Sequence, residues 1–193
     1  MGFMSDPAQR RATYQDLLSV PGHLVAEIVD GELVVSPRPA GPHSRAASAL
    51  GMEIGGPFDR GRGGPGGWWI IDEPELHFGE NTLVPDLAGW RRERLPVYPD
   101  GPFVTLAPDW VCEVLSERTR RLDRVRKMPI YAREGVSWVW IADPVAETLE
   151  VFRLQAGVWV LASSHVGSDD MRAEPFAAAP LALGALWDRG QPR

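Results

Sequence analysis

The chain has 193 residues, 44% hydrophobic and 24% charged, with a formal net charge of -6; such a composition supplies a full core and excludes wholesale disorder. The acidic balance argues against a general nucleic-acid coat, which owes its affinity to a basic excess, and the single cysteine, Cys112, rules out an internal disulfide and fits a reducing compartment. With no apolar run of membrane-spanning length and no signal-like N-terminus, the expectation is one cytoplasmic domain over 1–193, with a core at about 13–165 and a C-terminal extension at 171–193.

Thr13 is a good N-cap with Asp16 three residues on, which predicts a short helix stopped near Pro21-Gly22. Two β-branched runs, 24–29 and 32–35, are joined by Asp30-Gly31, a strong short-range hairpin signal. Glu27 and Glu32 then stand on opposing strands, with Glu32 expected on the wet face. The segment 36–42 contains three prolines and predicts a stiff connector that continues neither strand nor helix. His43 follows at the entrance of a helix over 44–54, either as a cap or as a site residue beside the Glu27 hairpin. Glycine, proline and arginine dominate 55–67, which predicts a flexible loop and a poor place for chemistry.

Strands are predicted at 68–71, 75–78 and 84–90, the last opening with Pro85-Asp86, so that Asp86 faces a cleft from a strand end. After a proline-rich excursion at 91–102, residues 109–116 read as a buried strand with one carboxylate, Glu113, inside an apolar run. Cys112 beside it points to the opposite face as core filler. A lone buried carboxylate costs several kcal/mol, roughly, unless a cation or donors face it. The only lysine of the chain, Lys127, follows on a basic helix. Its retention among arginines points to a need for a compact ammonium rather than a planar fork.

From Arg118 to Lys127 six of ten residues are cationic, and Arg118, Arg120, Arg121 and Arg124 are the candidates for contacting nucleic-acid phosphates. Pro129 predicts a kink or a late helix start. Asp123 and Tyr131 lie one turn either side of Lys127, the first as its helix partner, the second as core. A strand at 136–143 carries Trp138 and Trp140 on one face, as core or a subunit contact. Pro144 then leads into an antiparallel pair, 148–154 and 158–164, whose exposed edge suits a homodimer. A short helix is predicted at 181–187.

Asp86 and Glu113 with Lys127 form the minimal kit for phosphodiester cleavage. Two converging carboxylates offer hard oxygen ligands to Mg²⁺ or Mn²⁺, and an adjacent ammonium steadies charge growing on phosphorus. Asp109 is excluded as a partner, because four residues along one strand separate it from Glu113 by about 13 Å.

Asp30-Gly31-Glu32-Leu33, His43, Pro85-Asp86, Glu113 to Ser116, Asp123, Lys127, Tyr131, Gly135-Val136 and Trp140 to Pro144 together resemble the Uma-two family of proposed restriction endonucleases, over roughly residues 13 to 165. The resemblance implies an α+β fold, a restriction-endonuclease-like mixed central sheet flanked by helices with an N-terminal β-hairpin, as a variant of the PD-(D/E)XK nuclease core. It further implies metal-dependent DNA cleavage, with Asp86 and Glu113 as ligands of Mg²⁺ (or Mn²⁺), Lys127 as the catalytic lysine, and Glu27 and His43 near the metal. The wider motif sets its lysine two residues after the acid, where this chain has Leu115, so the ammonium has to arrive from the helix. Two other functions stay open: a non-catalytic scaffold that keeps the fold, and a nuclease for branched or single-stranded DNA.

Overall fold

The computed structural model describes residues 10–38 and 41–190. Helix α1 (Tyr14–Leu18) opens with a capping box, in which the Thr13 hydroxyl accepts from the Asp16 N–H and the Asp16 carboxylate accepts from the Thr13 N–H. Strands β1 (Leu24–Val29) and β2 (Glu32–Pro37) form the hairpin that Asp30-Gly31 predicts. Both turn residues are left-handed, with φ of 53° and 82°, as a two-residue type I′ turn requires. Strand β2 runs on through Ser36 and Pro37, which pair with Val25 and Leu24, so the rigid connector is shorter than expected. Its place at the sheet edge is what tolerates the proline.

Helix α2 (Pro42–Ile54) takes Pro42 in its first turn, where a missing N–H costs nothing. It continues directly into a π-helical turn, Gly55–Asp59, that buries Phe58. The first part of the loop expected at 55–67 is therefore ordered helix, held by an aromatic anchor. Strands β3 (Trp68–Asp72) and β4 (Leu76–Phe78) follow. The strand expected at 84–90 begins only at Leu87, as β6 (Leu87–Arg91), and an unexpected short strand, β5 (Asn81–Leu83), precedes it with Val84-Pro85-Asp86 between them. Pro85 has no N–H to give a ladder, which ends one pairing and lets the chain cross to another sheet.

Strand β7 (Trp110–Val114) is followed by a π-helical segment, Leu122–Lys127, that runs into α3 (Met128–Arg133). Then come β8 (Trp138–Asp143), β9 (Thr148–Gln155), β10 (Val158–Val166), β11 (Asp170–Met171), β12 (Leu181–Ala182) and α4 (Leu183–Trp187). Six strands form the central mixed sheet in the order β10-β9-β8-β7-β6-β3. Only β7 and β8 pair in parallel within it, and the helical crossover between them is what a parallel pair demands. A four-stranded sheet, β2-β1-β5-β4, stands beside it. The fold is thus mixed α+β, with a central mixed sheet and an N-terminal hairpin.

The alternation of β7 divides the core. Trp110, Cys112 and Val114 face one side, where Leu50 and Ile54 of α2, Trp140 and Phe176 pack against them. Val111 and Leu115 face the other, with Met128, Ile130 and Tyr131 of the α3 region. Trp110, Trp140 and Phe176 meet edge-on, with ring centroids 4.9 to 5.5 Å apart. Phe176, Leu181, Leu183, Leu186 and Trp187 all belong to the first side. The stretch after Met171 is therefore built into the core, each such side chain contributing about 1.5–3 kcal/mol by burial. Glu113 interrupts the apolar second face, and that interruption sets the position of the site.

Candidate active site

The six side chains of the cleft come from five separated parts of the chain. Glu27 arrives from β1, His43 from the first turn of α2, Asp86 from the residue before β6, Glu113 from β7, and Asp123 and Lys127 from the π-helical segment. With Thr119 they line one cleft of about 50 Å³, room for about one or two waters. The structure thus brings together Glu27, His43, Asp86, Glu113 and Lys127, the residues singled out in the sequence. Asp123 joins them as a further wall of the cleft.

Asp86 and Glu113 meet because of sheet register. β6 and β7 pair through Leu87 and Cys112, and one residue further sets Asp86 opposite Glu113 on the face away from the cysteine. The Val114 N–H donates to Asp86 Oδ2 at 2.7 Å, so the carboxylate replaces the ladder partner that Pro85 has ended. The other oxygen, Oδ1, faces His43 Nε2 at 3.2 Å.

Lys127 points inward and is 2% exposed. Its Nζ lies 2.8 Å from Glu113 Oε1, 2.9 Å from Glu27 Oε1 and 3.7 Å from Asp123 Oδ1, and it donates to the Val84 carbonyl at 3.3 Å. The N–H of the same Val84 donates to Glu27 Oε1 at 2.8 Å, which ties β1 to the segment carrying Asp86. The π-helical geometry explains the aim. Pro129 has no N–H to give the Val125 carbonyl, and the widened turn absorbs that mismatch, with the Met128 N–H bonding Asp123 five residues back. Asp123, Lys127 and Tyr131 consequently all face inward.

Tyr131, expected as plain core, has a second role. Its hydroxyl donates to Glu113 Oε1 at 2.6 Å, so that oxygen receives both the ammonium and the phenol. The signal was the four-residue spacing of Asp123, Lys127 and Tyr131, which puts three polar groups on one helix face. Charge in the cleft is out of balance: Glu27, Asp86, Glu113 and Asp123 surround one ammonium, and Glu73 adds a fifth carboxylate to the lining. Burial pushes the Glu113 carboxyl up; the Lys127 charge opposes this, but Asp123, Asp86 and Glu27 add to it, and the result lies well above the ordinary range. Burial likewise raises Asp123, to about 6, against the pull of Lys127. Burial works to lower Lys127, yet the surrounding carboxylates raise it, and it stays an ammonium. For His43 burial works downward, but the hydrogen bond and charge of Asp86 together with Asp123 carry it above its usual value.

Half of the basic segment's six cations, Arg120, Arg124 and Arg126, are ion-paired within the molecule at its surface. Arg120 pairs with Asp143 at 2.8 Å, and Arg124 pairs with Glu150. Arg126 clamps the hairpin, bonding Glu32 and the Val29 carbonyl, each at 2.7 Å. Of the four arginines expected to meet phosphates, Arg118, Arg120 and Arg121 are exposed and Arg124 is half-buried; Arg118 lines a groove next to the cleft. Asp109 lies just before β7, at the end away from Glu113, accepting from the Arg91 N–H at 2.9 Å and pairing with Arg94 at 2.7 Å. Among the described residues, no three His, Cys, Asp or Glu side chains stand at ready metal-ligand spacing. No helix among them is long and apolar enough to cross a membrane.

Comparison with known proteins bears on this arrangement. The model of the Uma2 family, described as "Putative restriction endonuclease", matches residues 12–183. The chain is also similar to the crystal structure of "a putative nuclease belonging to DUF820 from Anabaena variabilis ATCC 29413", with a TM-score of 0.70 and 23% identity over 91% of this chain and 97% of that one. That likeness is one of fold. No curated protein matches.

Proposed function

This chain belongs to the Uma2 family, and on that premise we propose that the cleft is the active site of a metal-dependent endonuclease that hydrolyses DNA phosphodiester bonds. The observation that carries the reading is Lys127, a buried ammonium held 2.8 Å from Glu113 and 2.9 Å from Glu27 beside Asp86. Family membership supports the reaction class; the residue roles rest on the chemistry of the cleft.

The donors suit a hard divalent cation. Carboxylates outnumber the one ammonium, two of them are pushed toward protonation by burial and by neighbouring carboxylates, and His43 Nδ1 lies buried with no hydrogen-bond partner. Asp86 and Glu113 are the residues that would hold Mg²⁺ or Mn²⁺. When bound, the ion supplies Lewis acidity toward the phosphodiester and makes a water acidic enough to lose a proton near neutral pH. Lys127 offers its ammonium to the negative charge that grows on the phosphate oxygens, in a site where low dielectric strengthens the contact. Glu27 and the Val84 carbonyl hold that ammonium in place. Tyr131 fixes the rotamer of Glu113, and His43, whose proton Asp86 helps to hold against the effect of burial, stands where a proton can be handed to or from the cleft.

Purified protein should nick or linearise plasmid DNA in Mg²⁺ or Mn²⁺, with Glu113→Gln and Lys127→Met each reducing cleavage by at least about a hundredfold. Cleavage at the wild-type rate by both variants would refute the site. A second reading, a non-catalytic scaffold, is favoured by the closure of Lys127 on three carboxylates. Calorimetry separates the two: Mn²⁺ uptake abolished by Asp86→Ala supports the nuclease, and no uptake by wild type supports the scaffold. The reading also includes a single domain and a homodimer built on the free edge of β10, where Val158 and Leu161 are more than half exposed.

A further inference from the structure

Beside the acidic cleft lies a groove of opposite character. It has a volume of about 410 Å³ and is lined by Ser36, Arg38, His43, Ser116, Arg118 and Thr119, with Glu117 as its one acid. His43, Ser36 and Thr119 line both spaces, so the groove and the cleft adjoin. Two guanidiniums give this groove cationic donors for an anion, and the Ser116 and Thr119 hydroxyls, bonded to each other, close its wall, whereas the adjoining cleft offers carboxylates to a cation. A phosphodiester strand lying across a bound cation presents this pair of demands: one phosphate over the acidic pit and its neighbour over a basic rim.

Arg38 is held in a way that such a phosphate can undo. Its Nη1 lies 3.0 Å from Glu73 Oε2, and Nη2 donates to the Gly22 carbonyl at 3.4 Å. Both partners of the ion pair are well exposed, at 55% and 41%, so the pair is cheap to open. Glu73 is not there by free choice of conformation. Its φ is +44°, a left-handed backbone that costs a non-glycine residue, and its N–H is bonded to the Asp86 carbonyl at 3.1 Å. That bond fixes its carboxylate at the mouth, where it lines both the cleft and the adjoining pocket beside Asp86 and Asp72.

We propose that the groove between Arg38 and Arg118 is the subsite for a second backbone phosphate of the nucleic-acid strand, and that Glu73 holds Arg38 until that phosphate displaces it. The proposal rests on the nuclease reading of the cleft and names the part of the substrate the neighbouring surface takes. It moves the phosphate contacts away from Arg120 and Arg124, whose charges Asp143 and Glu150 already satisfy.

The test is binding of a short labelled DNA duplex by the full chain in Ca²⁺, followed by fluorescence anisotropy across a salt series, with thermal melts to confirm folding. Arg38→Gln and Arg118→Gln should each flatten the slope of log K against log salt by about 0.9, the loss of one phosphate contact on duplex DNA, or about 0.7 on a single strand. Glu73→Gln should tighten binding, since it removes the competitor for Arg38. Wild-type slopes in both arginine variants, or weaker binding by Glu73→Gln, overturn the subsite while leaving the nuclease intact. A wild-type protein that neither binds nor cuts DNA would overturn the reading beneath it as well.

Discussion

Asp123 shows how much of the site's behaviour is set by single side chains. Its carboxyl is raised from 3.8 to about 6, first by burial, so the folded protein binds that proton more tightly than the unfolded chain does. The resulting stabilisation is fully present below 3.8 and lost as pH rises through about 6. Above that pH the ionised group is a burden on the fold, eased only by Lys127 and by any cation the cleft takes. Asp123→Asn should therefore flatten the pH dependence of urea stability across this window and leave the variant more stable than wild type above it. A divalent cation should raise the melting temperature of wild type more above about 6 than below, because protons compete for the same oxygens. A variant that keeps the wild-type pH profile would mean that the cleft's carboxylates do not share their charge. His43 changes with pH in the same direction, but through its charged form. Its raised value makes the charged Asp86 contact strongest in mild acid and weakens it as pH climbs past the folded value.

At the scale of elements, the site depends on two tight backbone features that hold its walls. The β1–β2 turn needs Gly31 at φ +82°, and a Cβ there would also come within 3.1 Å of Arg11 Cγ. Gly31→Ala should cost about 1–2 kcal/mol in chemical denaturation. Because β1 carries Glu27, cleavage should fall by more than the lost stability accounts for. Gly89, in β6, is packed between rings: a Cβ would sit 3.1 Å from Trp110 Cε3 and 3.3 Å from Trp68 Cε3. Gly89→Ala should destabilise by about 1–3 kcal/mol through overpacking. An unchanged midpoint in either variant would show that the neighbouring chain yields freely. The helix after β7 teaches a related lesson. Its proline reads as a liability in the sequence, yet the π-helical turn that accommodates it is what sends Lys127 back over the strand.

At the scale of the molecule, the proposed homodimer should read as twice the chain mass in light scattering. Val160→Lys, on the open edge strand, should return it to monomer without loss of folding; a monomeric wild type removes the dimer. What the sequence determined by itself was local. Asp-Gly between β-branched runs makes the hairpin, the apolar run around Glu113 makes a buried strand, and a lone lysine after it marks the cation such a strand needs. These signals are short-range because turn chemistry and strand alternation act within a few residues. Tertiary structure alone decided the rest. Register between β6 and β7 sets Asp86 opposite Glu113, the Val84 peptide ties Glu27 to Lys127, and Asp143 and Glu150 pair with Arg120 and Arg124. Each of these contacts joins residues far apart in the chain, and the free energy that selects them comes from packing the sheet and helices together, which no local pattern of residues records.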